Sequence, residues 1–321
     1  HNTGPHHPER PERIEAVRRG VYASGLGIVE IEAPRISKEH LAVVHSDSHI
    51  RSIEELCLRG GGMIDTDTIV VEASWEAALR SAGAVQAVVD ELDRRSGATG
   101  FALCRPPGHH ALPSRAMGFC LFNNVAVTAA LLRSRGERVA ILDFDVHHGN
   151  GTQAMLGRDP GVLYISLHQA AFYPLTGEIT DIDREAVGTT LNIPLPAGTG
   201  GDIYRRAWDE IVMPVVVGFD PDRILVSAGF DGHVRDLLAD LRLVAADYGW
   251  IAHSLSRIHP PERTVLALEG GYDLFALEES VAATLAGLAG VPPEGPPLTS
   301  PPGAESVLKE AVEAVTRYWS L

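Results

Sequence analysis

Four short stretches of this chain concentrate side chains that can bind metals or move protons. RPPGHH ends in adjacent His109 and His110, and DFDVHHGNG carries Asp143, Asp145, His147, His148 and Asn150; AGFDGH carries Asp231, and EGGYD carries Tyr272. Asp143, Asp145 and His147 alternate, so an extended segment would aim them at one face. One imidazole and two carboxylates, from Asp145, His147 and Asp231, would hold a divalent ion while leaving room for water and substrate, as a catalytic metal site does. Zinc is the first choice, and a mixed nitrogen and oxygen shell also accepts Fe(II) or Co(II). Each tandem histidine needs an orienting partner, because the hydrogen bond at one ring nitrogen fixes the tautomer at the other. Asp143 and Asn150 are the candidates. A carboxylate partner favours the imidazolium, whereas a neutral amide only orients the ring, so the two histidines can divide the labour. Taken singly, any of these groups is more often a satisfied loop residue than a ligand; four such stretches together argue for a site.

The elements that must position these groups follow from hydrophobic patterning. Short β-branched runs alternate with longer segments that are apolar every three or four residues, which reads as a parallel sheet covered by helices. Strands are expected at Ile28–Ile31, Gly100–Cys104, Arg138–Phe144, Val162–Leu167, Arg223–Ser227 and Thr264–Leu268. Helices are expected at Arg10–Ala23, Ser74–Arg94, Asn123–Arg135, Gly201–Val217, Leu243–Arg257 and Leu274–Leu288. In the second of these, Ala78, Leu79, Ala82, Val85, Val88, Val89 and Leu92 share one face, as a core-facing helix requires. The four chemical stretches then fall just past the carboxyl ends of strands, where open α/β sheets build their sites. Glycines crowd the same places (Gly108, Gly118, Gly149, Gly151, Gly229, Gly270 and Gly271), marking backbone that turns tightly or approaches a ligand. Neither a Walker pattern nor a GxGxxG between strand and helix is present, so phosphate binding is not indicated.

The 321 residues carry 27 Lys and Arg against 42 Asp and Glu, a formal charge of −15, and 45% are hydrophobic. That composition is globular, and the acidity argues against nucleic-acid partners and for cationic substrates. Three scattered cysteines, Cys57, Cys104 and Cys120, make neither a disulfide framework nor a Cys-rich zinc site, which fits a cytoplasmic protein. No apolar run approaches a membrane span, and no signal-peptide pattern is seen, although a chain that opens at His1 rather than Met can have residues before it. Six prolines between residues 291 and 303 read as a surface tether to a C-terminal helix at 304–321, so 1–321 is expected to be a single catalytic domain.

These motifs resemble the histone deacetylase and acetylpolyamine amidohydrolase superfamily, in particular its class II and bacterial-type members. HPERPERI at 7–14, RPPGHHA at 105–111, MGFCLFNN at 117–124, DFDVHHGNGTQ at 143–153, LYISLH at 163–168, SAGFD at 227–231 and LEGGYD at 268–273 occur in the family's order. The resemblance spans nearly the whole chain and implies the arginase-like three-layer α/β fold, with an eight-stranded parallel sheet flanked by helices. It implies a zinc-dependent hydrolase that removes acetyl groups from acetyl-lysine side chains, with zinc on Asp145, His147 and Asp231. His110 matches the general base and later acid, with Asn150 as its partner, as in class II. His109, paired with Asp143, matches the electrostatic histidine, and Tyr272 the donor that stabilises the oxyanion. A structural potassium ion would lie on Asp143, Asp145, His147, Ser166 and Leu167, several through carbonyls. Gly118, Phe119, Tyr173, Leu238 and Gly270 match the substrate tunnel, and Arg13 the acetate-release channel.

Three alternatives bear on this reading. Arginase-like enzymes of the same fold need two further metal ligands, at positions where this chain has Gly149 and His233. A silent acyl-lysine-binding module is disfavoured because Tyr272 is kept. An acetylpolyamine or other small N-acetyl amine is the competing substrate; polyamine-selective relatives place Glu where this chain has Leu238. The rim departs from the family at RDLLA (235–239) and YPLTG (173–177), which introduce Leu237 and Leu175. Dimeric polyamine enzymes carry a long inserted loop with no counterpart between Leu58 and Ser74, so a monomer or weak homodimer is expected.

Overall fold

The computed structural model describes residues 1–181 and 186–321. A small antiparallel pair, β1 (Gly61–Met63) and β2 (Ile69–Val71), stands apart from the main sheet. The main sheet contains β3 (Gly100–Ala102), β4 (Val139–Asp143), β5 (Val162–Gln169), β6 (Thr190–Leu195), β7 (Arg223–Ala228) and β8 (Thr264–Leu268), in the order β3-β8-β7-β4-β5-β6. Every pairing in it is parallel. From β4 the chain builds outward through β5 and β6, then returns to the other side of β4 as β7 and continues to β8. The sheet order therefore reverses between β4 and β7, and a crevice opens there beyond the strand ends.

The central strands are buried throughout, as near-continuous apolar runs covered on both faces must be. Helices flank the sheet. Glu12–Ala23, Ala245–Ser256 and Leu274–Leu288 pack together, while Ser74–Leu92 lies against Asn124–Ser134 and β3. All seven residues assigned to the core face of Ser74–Leu92 are buried. The C-terminal helix Ala304–Val315 contributes Ala304, Leu308, Ala311 and Val315 to the same apolar cluster. The proline-rich segment before it is pinned rather than loose: Ser300 receives the Gly200 amide at 2.8 Å, and the Asp202 amide donates to the Leu298 carbonyl at 3.3 Å.

The α/β class with a helix-flanked parallel sheet is as expected, but the parallel sheet has six strands among the described residues rather than eight. Ile28–Ile31 forms no strand. A groove of about 720 Å³ is lined by both this segment and β3, the two do not pair, and Val29 and Ile31 are exposed. Conversely, β6 has no counterpart in the sequence-based assignment, because Pro194 and Asn192 break its apolar run. It is an edge strand that pairs only with β5, where proline is tolerated. The helix expected at Gly201–Val217 is Gly201–Ala207, a π-helical turn at Trp208–Val212, and Met213–Phe219.

Candidate active site

The crevice between the ends of β4 and β7 gathers Asp145, two residues beyond β4, with His147, and Asp231, three residues beyond β7. Their ligand atoms lie within 4.8 Å of one another, the one such grouping of His, Cys, Asp and Glu among the described residues. His147 Nδ1 stands 3.0 Å from Asp145 Oδ1 and 3.2 Å from Asp231 Oδ2. Backbone amides fix both carboxylates: Gly270 donates to Asp145 Oδ2 at 2.8 Å and Val146 to Asp231 Oδ1 at 3.0 Å. Asp231 Oδ2 is buried and takes no backbone amide; only the His147 imidazole stands near it, at 3.2 Å, so a cation at this point is favoured. The donor set of one imidazole and two carboxylates suits a divalent metal.

Glycine is required around these carboxylates by space. A Cβ on Gly270 would lie 2.0 Å from Asp231 Oδ2, and one on Gly229 2.0 Å from Asp145 Oδ2. Burial opposes charge throughout this crevice, yet the neighbours decide each outcome. His109 and His147 hold Asp145 well below the usual carboxylate range. Burial, reinforced by Asp145, pushes Asp231 up. Against its own burial, the His147 pKa rises to about 10 through Asp145 and Asp231. The two carboxylates thus already attract a proton to the position where a metal would replace it.

The tandem histidines lie beside this triad on the loop after β3. His109 Nδ1 is 3.0 Å from Asp143 Oδ2, and its Nε2 is 3.7 Å from Asp145 Oδ1. His110 Nδ1 is 2.8 Å from Asn150 Oδ1, and Asn150 Nδ2 faces Met117 Sδ at 3.5 Å, which sets the amide's orientation. The two partners have opposite consequences. Burial penalises the His109 cation, but Asp145, Asp143 and Glu269 overcome it and hold its pKa well above 6.5. For His110, burial and then the cationic His109 and His147 act together and hold it well below 6.5. One ring is charged and its neighbour, 4.1 Å away between centroids, is neutral with Nε2 as its basic atom.

Tyr272 lies past β8, its ring 5.8 Å from that of Phe119 in edge contact and 4.9 Å from the Arg13 guanidinium. Burial, only partly offset by Arg13, keeps the phenol well above its ordinary pKa of 10, hence protonated. Arg13 is buried and donates to the carbonyls of Gly271 at 2.6 Å and Glu269 at 2.5 Å. Tyr173 packs on His110 at 5.1 Å between rings. A Cβ on Gly118, whose φ is +54°, would lie 2.5 Å from the His110 ring, so that position also demands glycine. Leu238 is half-buried on the loop after β7, and Gly270 backs the metal ligands as described.

The proposed potassium ligands adjoin in register: Asp143 on β4 is opposite Ser166 on β5, with Leu167 next to it. Ser166 Oγ contacts His168 Nδ1 at 2.9 Å, and the Leu167 carbonyl faces the Tyr204 hydroxyl at 3.5 Å. His148 turns away from the triad, to Thr176 Oγ1 at 2.7 Å and Gln153 Oε1 at 2.8 Å. His233 uses Nδ1 to accept the Arg235 amide at 3.1 Å, and Gly149 offers no side chain to a metal.

Four supporting groups escape the sequence reasoning although three lie inside motifs it quotes. Glu269 Oε2 accepts the amides of Gly108 at 2.7 Å and His109 at 3.1 Å, and Oε1 accepts from Ser227 Oγ, bracing the tandem-histidine turn. Burial, eased by His109, raises its pKa to about 7. Glu9 and Arg105 pair at 2.7 Å, and Glu9 also reaches Arg13 at 3.3 Å. Phe172 stacks on His147 with centroids 5.4 Å apart. A charged residue within an otherwise apolar strand end, as at Glu269 after β8, is the available signal.

The family described as the histone deacetylase domain matches residues 7–288. Histone deacetylase 14, chloroplastic, of Arabidopsis thaliana is 38% identical over 309 residues, covering 88% of this chain and 73% of that protein. A probable deacetylase of Archaeoglobus fulgidus is 38% identical over 301 residues, covering 90% and 83%. In three dimensions, the crystal structure of the HDA15 HD domain matches with a TM-score of 0.87 and 33% identity, covering 99% of this chain and 90% of that one.

Proposed function

The chain belongs to the histone deacetylase family, and on that premise we propose that it is a zinc-dependent deacetylase that hydrolyses acetyl-lysine side chains of proteins or peptides. The observation that carries the metal is the convergence of Asp145, His147 and Asp231, whose ligand atoms lie within 4.8 Å of one another. When bound there, zinc supplies Lewis acidity toward water and the amide carbonyl, and Fe(II) or Co(II) could substitute.

The chain's own residues perform the rest. His110, neutral and oriented by Asn150, takes a proton from the attacking water on Nε2 and returns it to the leaving amine. His109, held cationic between Asp143 and Asp145, stays charged and supplies a positive field beside the reacting carbon. Tyr272 keeps its proton and donates it in a hydrogen bond to the carbonyl oxygen as negative charge develops there. Phe119 and Tyr173 exclude water along the acyl-lysine methylenes, the Gly118 carbonyl accepts the substrate amide, and Leu238 and Gly270 complete the tunnel. Arg13, beneath Tyr272, lines the exit for acetate. A potassium ion on Asp143, Asp145, His147, Ser166 and Leu167 would stiffen the ends of β4 and β5.

One observation favours the second reading, an acetylated polyamine or other small cationic amine. After burial, the charges of Asp67 and Asp65 are among the causes that raise the Tyr173 phenol, so two carboxylates of the hairpin lie within electrostatic reach of the tunnel. Against this, Leu238 stands where a carboxylate would grip a distal ammonium. Neither reading needs nucleic acid. No helix among the described residues is long and apolar enough to cross a membrane. Three buried, unpaired cysteines suit a reducing compartment such as the cytoplasm, and the short hairpin at residues 61–71 suits a monomer or weak homodimer.

The test is kcat/KM for an acetyl-lysine peptide and an acetylated polyamine, side by side on zinc-loaded protein with a chelated control. A peptide preference of tenfold or more, about 1.4 kcal/mol, supports the first reading. A polyamine preference overturns the substrate and leaves the zinc chemistry standing; no turnover of any acyl amide by metal-loaded protein overturns both.

A further inference from the structure

A buried carboxylate outside the metal triad ties two loops of the site together. Asp236 lies five residues beyond Asp231 on the loop after β7 and is 4% exposed. Its Oδ2 accepts two amides from the loop after β8, Tyr272 at 2.6 Å and Asp273 at 3.1 Å. Its Oδ1 accepts the Leu238 amide at 3.1 Å on its own loop. Among the described residues no ion pair involves Asp236; its neighbour Arg235 reaches past it to Asp273 at 3.8 Å and Glu279 at 2.7 Å. A carboxylate buried without a cation costs stability unless its oxygens are well donated to, and here the donors are all backbone amides of site loops.

From this we propose that Asp236 is the positioning residue for Tyr272, locking the backbone from which the phenol reaches the substrate carbonyl and setting Leu238 at the tunnel rim in the same register. The inference rests on the reading of Tyr272 as the oxyanion donor. Two short amide bonds onto one oxygen fix both translation and tilt of the 272–273 peptide. Tyr272 is a long lever, so a small backbone rotation moves its hydroxyl far more than its Cα, and a misplaced donor loses its effect on charge that develops only in the transition state. Asp236 shares no donor with the metal ligands: the amides that hold Asp145 and Asp231 come from Gly270, His147 and Val146.

The experiment compares wild type, Asp236→Ala, Asp236→Asn, Tyr272→Phe and the double variant Asp236→Ala/Tyr272→Phe on an acetyl-lysine peptide. It adds zinc stoichiometry, thermal unfolding and a crystal structure of one Asp236 variant. Asp236→Ala is expected to lower kcat by 10- to 100-fold, with KM within threefold and one zinc bound. Asp236→Asn keeps the volume and one acceptor oxygen for the 272–273 amides, so it is expected to lose 3- to 10-fold and to serve if the alanine variant does not fold. The double variant is expected to be no more than threefold slower than Tyr272→Phe, because a positioning residue has nothing left to position.

Losses that multiply in the double variant, or Asp236 variants within twofold of wild type, overturn the proposal. Tyr272→Phe with wild-type kcat instead overturns the reading of Tyr272 on which it rests. If the protein turns over no amide at all, the crystal structure decides: the 272–273 backbone displaced in the Asp236 variant supports positioning, and its unchanged position overturns it.

Discussion

The crevice at the ends of β4 and β7 and the rim of the tunnel are built on opposite principles. In the crevice, Asp143, Asp145 and Asp231 are buried, each fixed by backbone amides or an imidazole, and glycines lie where any Cβ would collide with a ligand carboxylate. At the rim, Leu237 is 96% exposed and Leu175 78% exposed, and Leu175 has a left-handed φ of +65°. The crevice holds its charges through a dense set of mutual constraints, so a change at one group is felt by the others. The rim residues have few such constraints. Chemistry and selectivity are thereby separated: the first should break sharply under substitution, the second should drift.

The largest expected effect tests the crevice. Tyr272→Phe removes one donor and nothing else, and loss of such a donor typically costs about 100- to 1000-fold in kcat. Zinc stoichiometry and KM should stay near wild type, and wild-type turnover would remove Tyr272 from the mechanism. Next, Glu269→Gln probes how much stability the crevice gives up to brace its histidines. The Glu269 pKa is raised from 4.5 to about 7. Because the folded state holds this proton more tightly than the unfolded chain, ionisation costs stability as pH rises from 4.5 to 7, by up to about 3 kcal/mol. The glutamine variant should lose that slope in denaturant titrations across pH 4.5 to 7, and an unchanged slope would contradict the assignment.

A third prediction uses the unequal partners of the two histidines. His110 is held well below 6.5, so the acid limb of kcat/KM should lie below that pH. Asn150→Asp places a carboxylate where an amide oxygen stands 2.8 Å from Nδ1, which raises the pKa of the base by roughly 1 to 3 units. The base must be neutral to act, so activity should fall more at pH 6 than at pH 8, and the acid limb should move to higher pH. A profile that merely scales down at all pH values would mean that Asn150 orients His110 without tuning it. A smaller, selective effect is expected at the rim, where Leu238→Glu should shift the ratio of kcat/KM values toward acetylated polyamine by about tenfold. Equal loss on both substrates would place Leu238 with the machinery rather than the rim.

The same contrast explains what could be read from the sequence. Asp145, His147 and Asp231 were legible because their types, order and strand-end positions are local, and the sheet topology then brings them together; which tandem histidine takes Asp143 and which takes Asn150 came only from the family resemblance. Glu269 and Asp236 were not: a lone carboxylate at an apolar strand end or within a turn can signal a buried charge, but not that it accepts amides from another loop. Likewise β6 was hidden by Pro194, which only an edge position excuses, and Ile28–Ile31 looked like a strand because it is a short β-branched run, while a groove rather than a ladder lies between it and β3. Local pattern fixes what a segment can do; which edge it meets is set by the whole fold.

The smallest expected effect is the sharpest test of a slack rim. Leu175 follows the cis Tyr173–Pro174 peptide, and its amide donates to the Phe172 carbonyl at 2.7 Å in a tight turn. A left-handed conformation costs a residue with a Cβ about 1–2 kcal/mol, and glycine avoids that cost. Glycine also frees the unfolded chain, which takes back about 0.4–1 kcal/mol. Since Leu175 is largely exposed, little packing is lost, and Leu175→Gly should change stability by about 0–1.6 kcal/mol in the stabilising direction, measured by urea unfolding. A buried leucine of the crevice, such as Leu167, truncated to alanine should instead cost about 2–5 kcal/mol. If Leu175→Gly destabilises by more than 1 kcal/mol, its side chain is held by contacts that its exposure does not reveal, and the rim is as constrained as the centre.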